Sequence, residues 1–366
     1  MDEWHARVRA DFPYREGRTY LQSAGVGLPV PAADAAAGQY YRDVAGLGVD
    51  AQQLWHRPAQ RARERLARLL GVPVADVGWF RNTSEVLNLA AASVDWHPRD
   101  EVVVAADDYP GVLLAWTRAE TAGATVVRVD PGRAQERQQR LLDALTPRTR
   151  VLAVSHVHPW TGTKLDLTVL GRACREVGAL LVVDGIQALG ATPVELSCVD
   201  VYGAGVFKWL LSGFGTAVGV FRERAREQLT PAYRSYANPP PSTSFEYSAP
   251  NLPGLYVLDA STAYLEELGW ERVFGRVDAL AGQVADALRG AGVQPITPDG
   301  ARAGIVTFAP ADSTAVVAGL AAHGVDVSDK VGRVIVSPHF YNDAEDVDRF
   351  AAALRAVLPS GRPDAG

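Results

Sequence analysis

Three polar residues in the middle of the chain have side chains that could do chemistry. Asp184 closes an apolar run at 179–183, and Gln187 follows it three positions later. Lys208 lies within the otherwise apolar stretch 206–211, where an amine is costly unless it is paired or used chemically. A desolvated lysine amine can form a Schiff base with an aldehyde, and a carboxylate can keep a pyridinium nitrogen protonated. An aspartate that ends a strand is by itself more often a turn or cap residue, so only the combination indicates chemistry.

The surrounding pattern predicts a strand–helix–strand unit that brings Asp184 to the edge of a sheet. An apolar run at 151–154 is typical of a buried parallel strand, and we expect the following helix to begin near Asp166 and end at Gly178. The next strand, 179–183, delivers Asp184 to the carboxyl edge of the sheet, where open α/β folds bind ligands. A lysine and an acid at such an edge are the two protein groups that the cofactor pyridoxal 5'-phosphate (PLP) needs.

Two longer segments resemble a known family. The sequence around Asp184 reads VVDGIQALGATPVEL, and the sequence around Lys208 reads FKWLLSGFGTAVG. In motif order and spacing they resemble the class V aminotransferase family of PLP-dependent enzymes, which includes cysteine desulfurases and isopenicillin N epimerase-like proteins. Matches run from about Tyr20 to about Phe350. The resemblance implies the PLP-dependent transferase fold type I, an α/β fold with a mainly parallel, seven-stranded-type sheet in its large domain and a smaller α+β C-terminal domain.

By this resemblance, Lys208 is the Schiff-base lysine, Asp184 is the partner of the pyridine nitrogen, and Gln187 is a hydrogen-bond partner of the ring's phenolic oxygen. Thr83 and Ser84 come just before an apolar helical pattern, and a helix N-terminus with free amides and hydroxyls favours an anion. The same two residues would also make an ordinary helix cap. In the family, the position of Ser84, with Thr83 beside it, binds the cofactor phosphate.

The resemblance also implies residues that cover the cofactor or reach it from a second subunit. Tyr109 occupies the position whose aromatic ring lies over the pyridine in relatives. Where relatives often have a serine and a histidine that help with the phosphate, this chain has Gly205 and Phe207. Ser248 lies in the segment 245–251, which resembles a family segment that enters the neighbouring subunit's site, and it is a candidate phosphate ligand. A homodimer with shared active sites follows from this resemblance and not from the composition.

Other residues are candidates for contact with the substrate or for proton transfer. Gly25 lies in a glycine-rich turn that lines the substrate pocket in relatives, although a plain turn fits the sequence equally well. His158 is eligible as a general acid or base, but a loop histidine is more often structural; Trp160 in the same loop could wall the pocket. Relatives usually bind the substrate carboxylate with an arginine at the position of Ile335. Arg333 on the same strand face could substitute only if the register or the substrate differs.

Length and composition limit the class of protein. The chain has 366 residues, of which 48% are hydrophobic, so it exceeds the size at which a single core usually divides into two domains. We expect a large PLP-binding domain over 15–255 and a small domain formed by 1–14 and 256–366. The net charge of −6 is spread along the chain, which favours neither a nucleic acid nor an anionic membrane as a partner.

The N-terminal sequence and the cysteines indicate the compartment. No apolar run approaches the roughly 18 residues that span a bilayer, and the start, MDEW, has neither the basic nor the apolar region of a signal peptide. We therefore expect a cytoplasmic protein. Cys174 and Cys198 show no disulfide or metal-ligand spacing, so reduced core thiols and no bound metal are expected.

The resemblance implies an enzyme that acts at Cα or Cβ of an amino-acid-like substrate after an external aldimine forms. Lys208 is the expected proton shuttle, and His158 and Tyr109 are further catalytic candidates. Ordinary cysteine desulfurases need a thiol on a mobile loop near the C-terminal domain, and no cysteine follows Cys198. We therefore expect a lyase or epimerase-like activity. Two alternatives stay open: an aminotransferase, and a catalytically silent aminotransferase-like binding protein, against which the intact Lys208 and Asp184 speak.

Overall fold

A sheet of seven strands forms the centre of the fold in the computed structural model, which describes residues 3–14 and 17–358. The strands are, in chain order, β1 Thr19–Tyr20, β2 Val77–Phe80, β3 Glu101–Ala105, β4 Thr125–Val129, β5 Thr149–Ser155, β6 Leu180–Asp184, β7 Val201–Gly205, β8 Ala217–Phe221, β9 Val306–Phe308, β10 Val325–Asp326, β11 Ser328–Lys330 and β12 Arg333–Val336. The helices are α1 Glu3–Asp11, α2 Ala33–Leu47, α3 Gln52–Leu70, α4 Thr83–Ser93, α5 Pro110–Leu114, α6 Thr117–Thr121, α7 Arg137–Asp143, α8 Leu167–Val177, α9 Glu223–Gln228, α10 Leu252–Leu268, α11 Trp270–Gly290, α12 Ser313–Ala322 and α13 Ala344–Val357.

The central sheet has the strand order β2-β8-β7-β6-β5-β3-β4. β8 is antiparallel to both of its neighbours, and the other pairs in the sheet are parallel. This arrangement confirms the predicted mainly parallel α/β sheet. Because parallel strands end at the same edge, the loops after β3, β5, β6 and β7 meet there, and Asp184 closes β6 at that edge.

Helices cover both faces of this sheet, and the strands at its centre, such as β6 and β7, are buried on both sides. On β5, Leu152 and Val154 belong to one core cluster, while Val151 and Ala153 belong to another, as strand alternation requires. The first cluster includes residues of α3, α8 and α10, and the second includes residues of α4. The rigid double-layered packing fixes the strand ends that carry the polar residues.

The C-terminal part forms the smaller α+β unit. β11, β12 and β9 make an antiparallel sheet that shares a core with α11, α12 and α13. The sequence predicts a capping box of Asn342 and Glu345 for α13, and this prediction is wrong by one residue. Asp343 is the N-cap, and its partner in the box is Asp346.

The N-terminal segment contacts both units. β1 pairs in parallel with β10, so that Thr19 lies opposite Val325 of the C-terminal unit. The Trp4 indole donates a hydrogen bond to Leu268 O at 3.3 Å. α10, which contains Leu268, packs on α2 and α3 of the large unit. The domain division at residues 15 and 255 stays a prediction.

Within the described part of the chain, no helix is both long and apolar enough to cross a membrane. The same residues contain no group of three or more histidine, cysteine, aspartate or glutamate side chains placed to hold a metal ion. Met1 and Asp2, on which the signal-peptide prediction partly rests, lie outside the described residues.

Candidate active site

A cavity of about 190 Å³ opens at the carboxyl edge of the central sheet, beside the end of β6. Its walls come from the loops after several strands and from the start of α4. The predicted site residues that line it are Thr83, Ser84, Tyr109, Asp184, Gln187 and Lys208. The other lining residues are Asn82, Ser155, Pro159, Ile186 and Phe207.

Lys208 lies in the loop that follows β7. The Leu211 amide donates to Lys208 O at 3.3 Å and closes a tight turn, in which Trp209 and Leu211 are fully buried. Leu211 has a left-handed φ of 57°. Such a conformation costs about 1–3 kcal/mol and is held here by the surrounding packing. Burial lowers the pKa of the Lys208 amine, and the charge of Asp184 opposes this change. The amine is therefore neutral, and nucleophilic, at a lower pH than an ordinary lysine.

Asp184 faces the same cavity and is 4% exposed. Its Oδ1 accepts a hydrogen bond from the Ile186 amide at 2.9 Å. Burial raises the pKa of this carboxyl, the Ile186 amide and Lys208 lower it, and the charge of Asp108 raises it further. Asp184 and Lys208 each change the pKa of the other, so the two groups interact across the cavity.

Gln187 is held in one orientation by two hydrogen bonds. Its Oε1 accepts from the Trp209 indole at 3.0 Å, and its Nε2 donates to Ala24 O at 3.0 Å. The side-chain nitrogen carries two hydrogens, so the bond to Ala24 leaves the second N–H for a ligand oxygen.

The N-terminus of α4 forms another wall of the cavity. Asn82 caps the helix by accepting from the Glu85 amide at 2.8 Å, and Thr83 Oγ1 accepts from the Gly205 amide at 2.9 Å. Ser84 lies beside them and also lines the cavity. The backbone amides of the first helical turn and these hydroxyls form a cradle that suits an anion such as a phosphate.

Aromatic rings surround the opening. The ring centroids of Tyr109 and Trp160 are 5.8 Å apart with an angle of 45° between the planes, and Tyr109 is 44% exposed. Trp160 does not line the cavity and reaches it only through this contact with Tyr109. Next to Lys208, Phe207 stacks on Phe214 at 4.1 Å between centroids. The rings leave an apolar entrance to a polar interior.

His158 does not line the cavity. It is 1% exposed, its Nδ1 forms a hydrogen bond with the Thr161 hydroxyl at 2.9 Å, and its Nε2 forms one with Asp107 O at 3.1 Å. Burial and the charge of Arg137 lower the pKa of the imidazole. Both ring nitrogens are thus engaged away from the cavity, and the geometry gives no support to the predicted role in proton transfer.

The turn that contains Gly25 packs against the Lys208 loop. The Gly27 amide donates to Phe207 O at 3.0 Å. A Cβ at Gly27 would overlap the carbonyl oxygen of Lys208, so only glycine permits this approach of the two backbones. Gly25 itself is exposed and does not line the cavity.

Ser248 and Arg333 are not brought to the cavity. Ser248 lies in a separate groove of about 610 Å³ that α3 borders. Arg333 begins β12 beside the turn at Val331, which is 65% exposed. Ile335, at the position of the family's arginine, is 3% exposed and belongs to the core cluster that includes Trp209. The predicted contact of Arg333 with a substrate therefore finds no support in this geometry.

Five lining residues were not predicted as binding residues. Ser155 had a usable signal, because it ends β5 directly opposite Asp184 in the register of the two strands. Asn82 also had one, as the cap residue before Thr83. The other three have no polar side chain, so nothing in their residue type indicates binding.

A lysine opposite a buried carboxyl, at the carboxyl edge of a mainly parallel sheet and beside an anion-binding helix N-terminus, defines a PLP-type site. The residues present fit the group at three points. The amine suits the aldehyde, the acid suits the ring nitrogen, and the cradle at α4 suits the phosphate.

The chain belongs to the class V aminotransferase family, whose model matches residues 19–350. It is 30% identical to a probable cysteine desulfurase of Aeropyrum pernix, over 97% of this chain and 98% of that protein. It is 31% identical to isopenicillin N epimerase of Amycolatopsis lactamdurans, over 81% of this chain and 84% of that protein. The solved structure of cysteine desulfurase CsdA from Escherichia coli is similar, with a TM-score of 0.83 and 25% identity over 96% of this chain and 98% of that chain. These findings confirm the family, the fold and the prediction of a PLP-dependent enzyme.

Proposed function

We propose that this enzyme acts at Cα or Cβ of an amino-acid-like substrate, as a lyase or an epimerase-like enzyme, with Lys208 as the cofactor-bearing and proton-transferring residue. The observation that carries the proposal is the placement of Lys208 and Asp184 at one cavity, where burial lowers the pKa of the amine and raises that of the acid. The names of the two relatives, a cysteine desulfurase and an epimerase, support this class of reaction.

The predicted polar groups of the cavity each have a part in this proposal. When bound, PLP supplies an aldehyde for a Schiff base and a ring that accepts electrons. Lys208 provides the amine, Asp184 keeps a proton at the ring nitrogen, and Gln187 donates its second N–H to the ring oxygen. Thr83 and Ser84, with the amides of α4, bind the phosphate.

Lys208 also moves the proton at the substrate carbon. Its lowered pKa keeps a useful fraction of the amine neutral, so Nζ would be able to take up a proton from a substrate held in the cavity. Nζ can therefore accept the proton and return it, as a general base and then a general acid. Tyr109 covers the ring from the opening, and Trp160 holds it there.

Neither cysteine is placed for persulfide chemistry. Cys174 lies on α8, and burial raises the pKa of its thiol to about 12. Cys198 precedes β7, so it lies towards the amino edge of the sheet, opposite the edge that carries Lys208. The proposed reaction therefore uses no thiol nucleophile.

We further infer a homodimer in which the subunits share their active sites. None of the residues of α2 is buried, and Tyr41 and Leu47 are 62% and 51% exposed. The groove that contains Ser248 is also lined by Trp55 and by Tyr236, which is 72% exposed. Exposed apolar surface of this extent is typical of a protein–protein interface. Ser248 would then contribute to the phosphate site of the partner.

A cytoplasmic location completes the proposal. Both cysteines are free, as expected in a reducing compartment. Cell fractionation with a tagged full-length chain tests this, and recovery of the chain outside the cytoplasm would contradict it.

Borohydride reduction tests the role of Lys208. The chain has three lysines, Lys164, Lys208 and Lys330, so PLP fixed by borohydride can be assigned to one peptide by mass spectrometry. We expect modification at Lys208 in the wild type, and a colourless, unmodified protein for Lys208→Ala. Lys164→Ala is the matched control, because its amine contacts Thr192 Oγ1 at 3.4 Å and does not line the cavity. Modification at another lysine, or none, would refute the assignment.

Product analysis separates the proposed reaction from amino-group transfer. A lyase or an epimerase needs no amino acceptor, so we expect turnover of an amino acid, with sulfur-containing ones included in the screen, when no keto acid is present. Strict dependence on an added keto acid would identify an aminotransferase instead. A holoprotein that is yellow but converts none of them would favour the silent binding protein.

A further inference from the structure

Asp108 is a buried carboxylate beside the cavity to which the proposed function gives no role. It lies in the loop after β3 and is 5% exposed. Three donors converge on it: the Ser155 amide on Oδ2 at 3.0 Å, the Ser155 hydroxyl on Oδ1 at 2.6 Å, and the Tyr109 amide on Oδ1 at 2.7 Å. Hydrogen bonds to a carboxylate are stronger than those between neutral groups, so they fix both partners.

Both residues that donate to Asp108 line the cavity. Ser155 lies opposite Asp184 in the register of β5 and β6, and its hydroxyl proton is directed to Asp108. Tyr109 follows Asp108 in the chain. Because Asp108 holds the Tyr109 amide, it fixes the backbone that carries the Tyr109 ring, and this ring contacts Trp160. One carboxylate thereby orients a residue of the cavity interior and a residue of the opening.

Asp108 also acts on Asp184 through its charge. The groups that change the pKa of Asp184 are Lys208, from the loop after β7, which lowers it, and Asp108, which raises it. Tyr202 on β7 is a further neighbour, and the charge of Asp184 raises its pKa. Burial and Arg137 lower the pKa of His158, and the charge of Asp108 opposes this change. A second negative charge near Asp184 favours the protonated form of the Asp184 carboxyl.

We propose that Asp108 is a positioning residue of this active site, which fixes Ser155 and Tyr109 and adds a second negative charge behind Asp184. It acts through these three residues and touches no reacting atom. The inference rests on the proposed function, because that function assigns Asp184 to the ring nitrogen of the cofactor.

The charge is tested with Asp108→Asn, which keeps the size of the side chain. Infrared difference spectra of the full chain without cofactor, taken across pH, report the C=O band of a protonated buried carboxyl, and Asp184→Asn identifies the band by its loss. We expect the midpoint of this band to move to lower pH in Asp108→Asn, by about one pH unit. Asp107→Asn is the matched control, because this neighbouring carboxylate pairs with Arg137, and it should leave the midpoint in place.

The hydrogen bonds are tested separately with Ser155→Ala, which leaves the charge of Asp108 intact. We expect an unchanged band midpoint but a several-fold weaker affinity for PLP, measured by quenching of tryptophan fluorescence. If Asp108 served only to stabilise the fold, Asp108→Asn would lower the melting temperature with its midpoint unmoved, and Ser155→Ala would lower it with unchanged affinity for PLP. This result would overturn the proposal.

The two variants also keep the proposal testable if one fails to fold. Should Asp108→Asn not fold, unchanged PLP affinity in Ser155→Ala would still overturn the positioning role. The infrared measurement is made without cofactor, so it depends neither on catalysis nor on a covalent bond to Lys208. A negative result here would therefore leave the borohydride assignment intact, and failure of that assignment would be recognised independently.

Discussion

Lys208 and Asp184 are ordinary residue types whose behaviour depends on where the chain places them. Burial acts on the two in opposite directions, lowering the pKa of the amine and raising the pKa of the acid, because it disfavours the charged form of each. A neutral amine can attack an aldehyde, and a buried acid can share a proton with a ring nitrogen. The two ends of the cavity are thus prepared for one cofactor before it binds.

The lowered pKa of Lys208 predicts that cofactor attachment reaches its full rate at a lower pH than attachment to a free lysine. Only the neutral amine attacks the aldehyde, and its fraction rises as the pH passes the pKa, which is about 10.4 for an unperturbed lysine. Asp184 raises the pKa of Lys208, so Asp184→Asn should move the midpoint lower still. Stopped-flow absorbance after addition of PLP measures this profile. The reference is Nα-acetyl-lysine, which keeps a free side-chain amine. A wild-type midpoint equal to that of this compound in the same buffers would contradict the prediction.

The sequence predicts most strands of the central sheet but not β7 and β8. The apolar runs at 77–80 and 101–105 predict β2 and β3 with the bounds found, because strands buried on both faces are continuously apolar. The run at 125–129 predicts β4, although Thr125 and Arg128 are exposed at this edge of the sheet. β7 and β8 carry Gly203 and Gly219, which weaken a strand pattern, and they are not predicted. The structure shows the reason for the first glycine, since a Cβ at Gly203 would lie 2.8 Å from the Val86 side chain of α4. Such a contact has no local signal in the sequence.

The same limit applies to the site. The motif resemblance finds Lys208, Asp184 and Gln187, because their spacing belongs to one continuous strand–loop–strand segment. The resemblance does not predict the directions of the His158 and Arg333 side chains, because loop conformation and strand register determine these directions. His158 turns to Thr161 and the backbone of the loop after β3, away from the cavity. Spacing alone predicts the residues of the site better than their orientation.

The contact between the Gly25 turn and the Lys208 loop predicts a large effect of Gly27→Ala. The added Cβ would overlap Lys208 O, and such overpacking costs about 1–3 kcal/mol of unfolding free energy. The loop should also shift, so we expect weaker PLP binding. Thermal melting and PLP titration measure the two effects.

Gly275→Ala on α11 is the matched control for this variant. A Cβ at this position meets nothing within 4 Å. Alanine is better than glycine in a helix by about 0.5–1 kcal/mol, so this variant should be unchanged or slightly more stable. Equal melting temperatures for the two variants would show that the close approach at Gly27 is not needed.

The exposed apolar surface of α2 has a consequence for the assembly as a whole. If this surface is the subunit interface, a charge placed there should separate the subunits, because an interface core does not tolerate an unpaired carboxylate. We expect Tyr41→Asp to give a monomer by light scattering, with reduced affinity for PLP. Val331→Asp is the matched control, because Val331 is 65% exposed at the turn before β12. A wild-type monomer, or an intact dimer of Tyr41→Asp, would argue against this interface.

The parallel pairing of β1 with β10 bears on how the protein is made. Thr19 lies opposite Val325, and ribosomes add about 5–20 residues per second, so this strand leaves the ribosome tens of seconds before its partner exists. During that time the N-terminal segment that contains β1 and Gly25 has no β10 to pair with. A nascent chain therefore has an incomplete site until translation is nearly finished. In a prematurely terminated product, the N-terminal segment would stay unpaired.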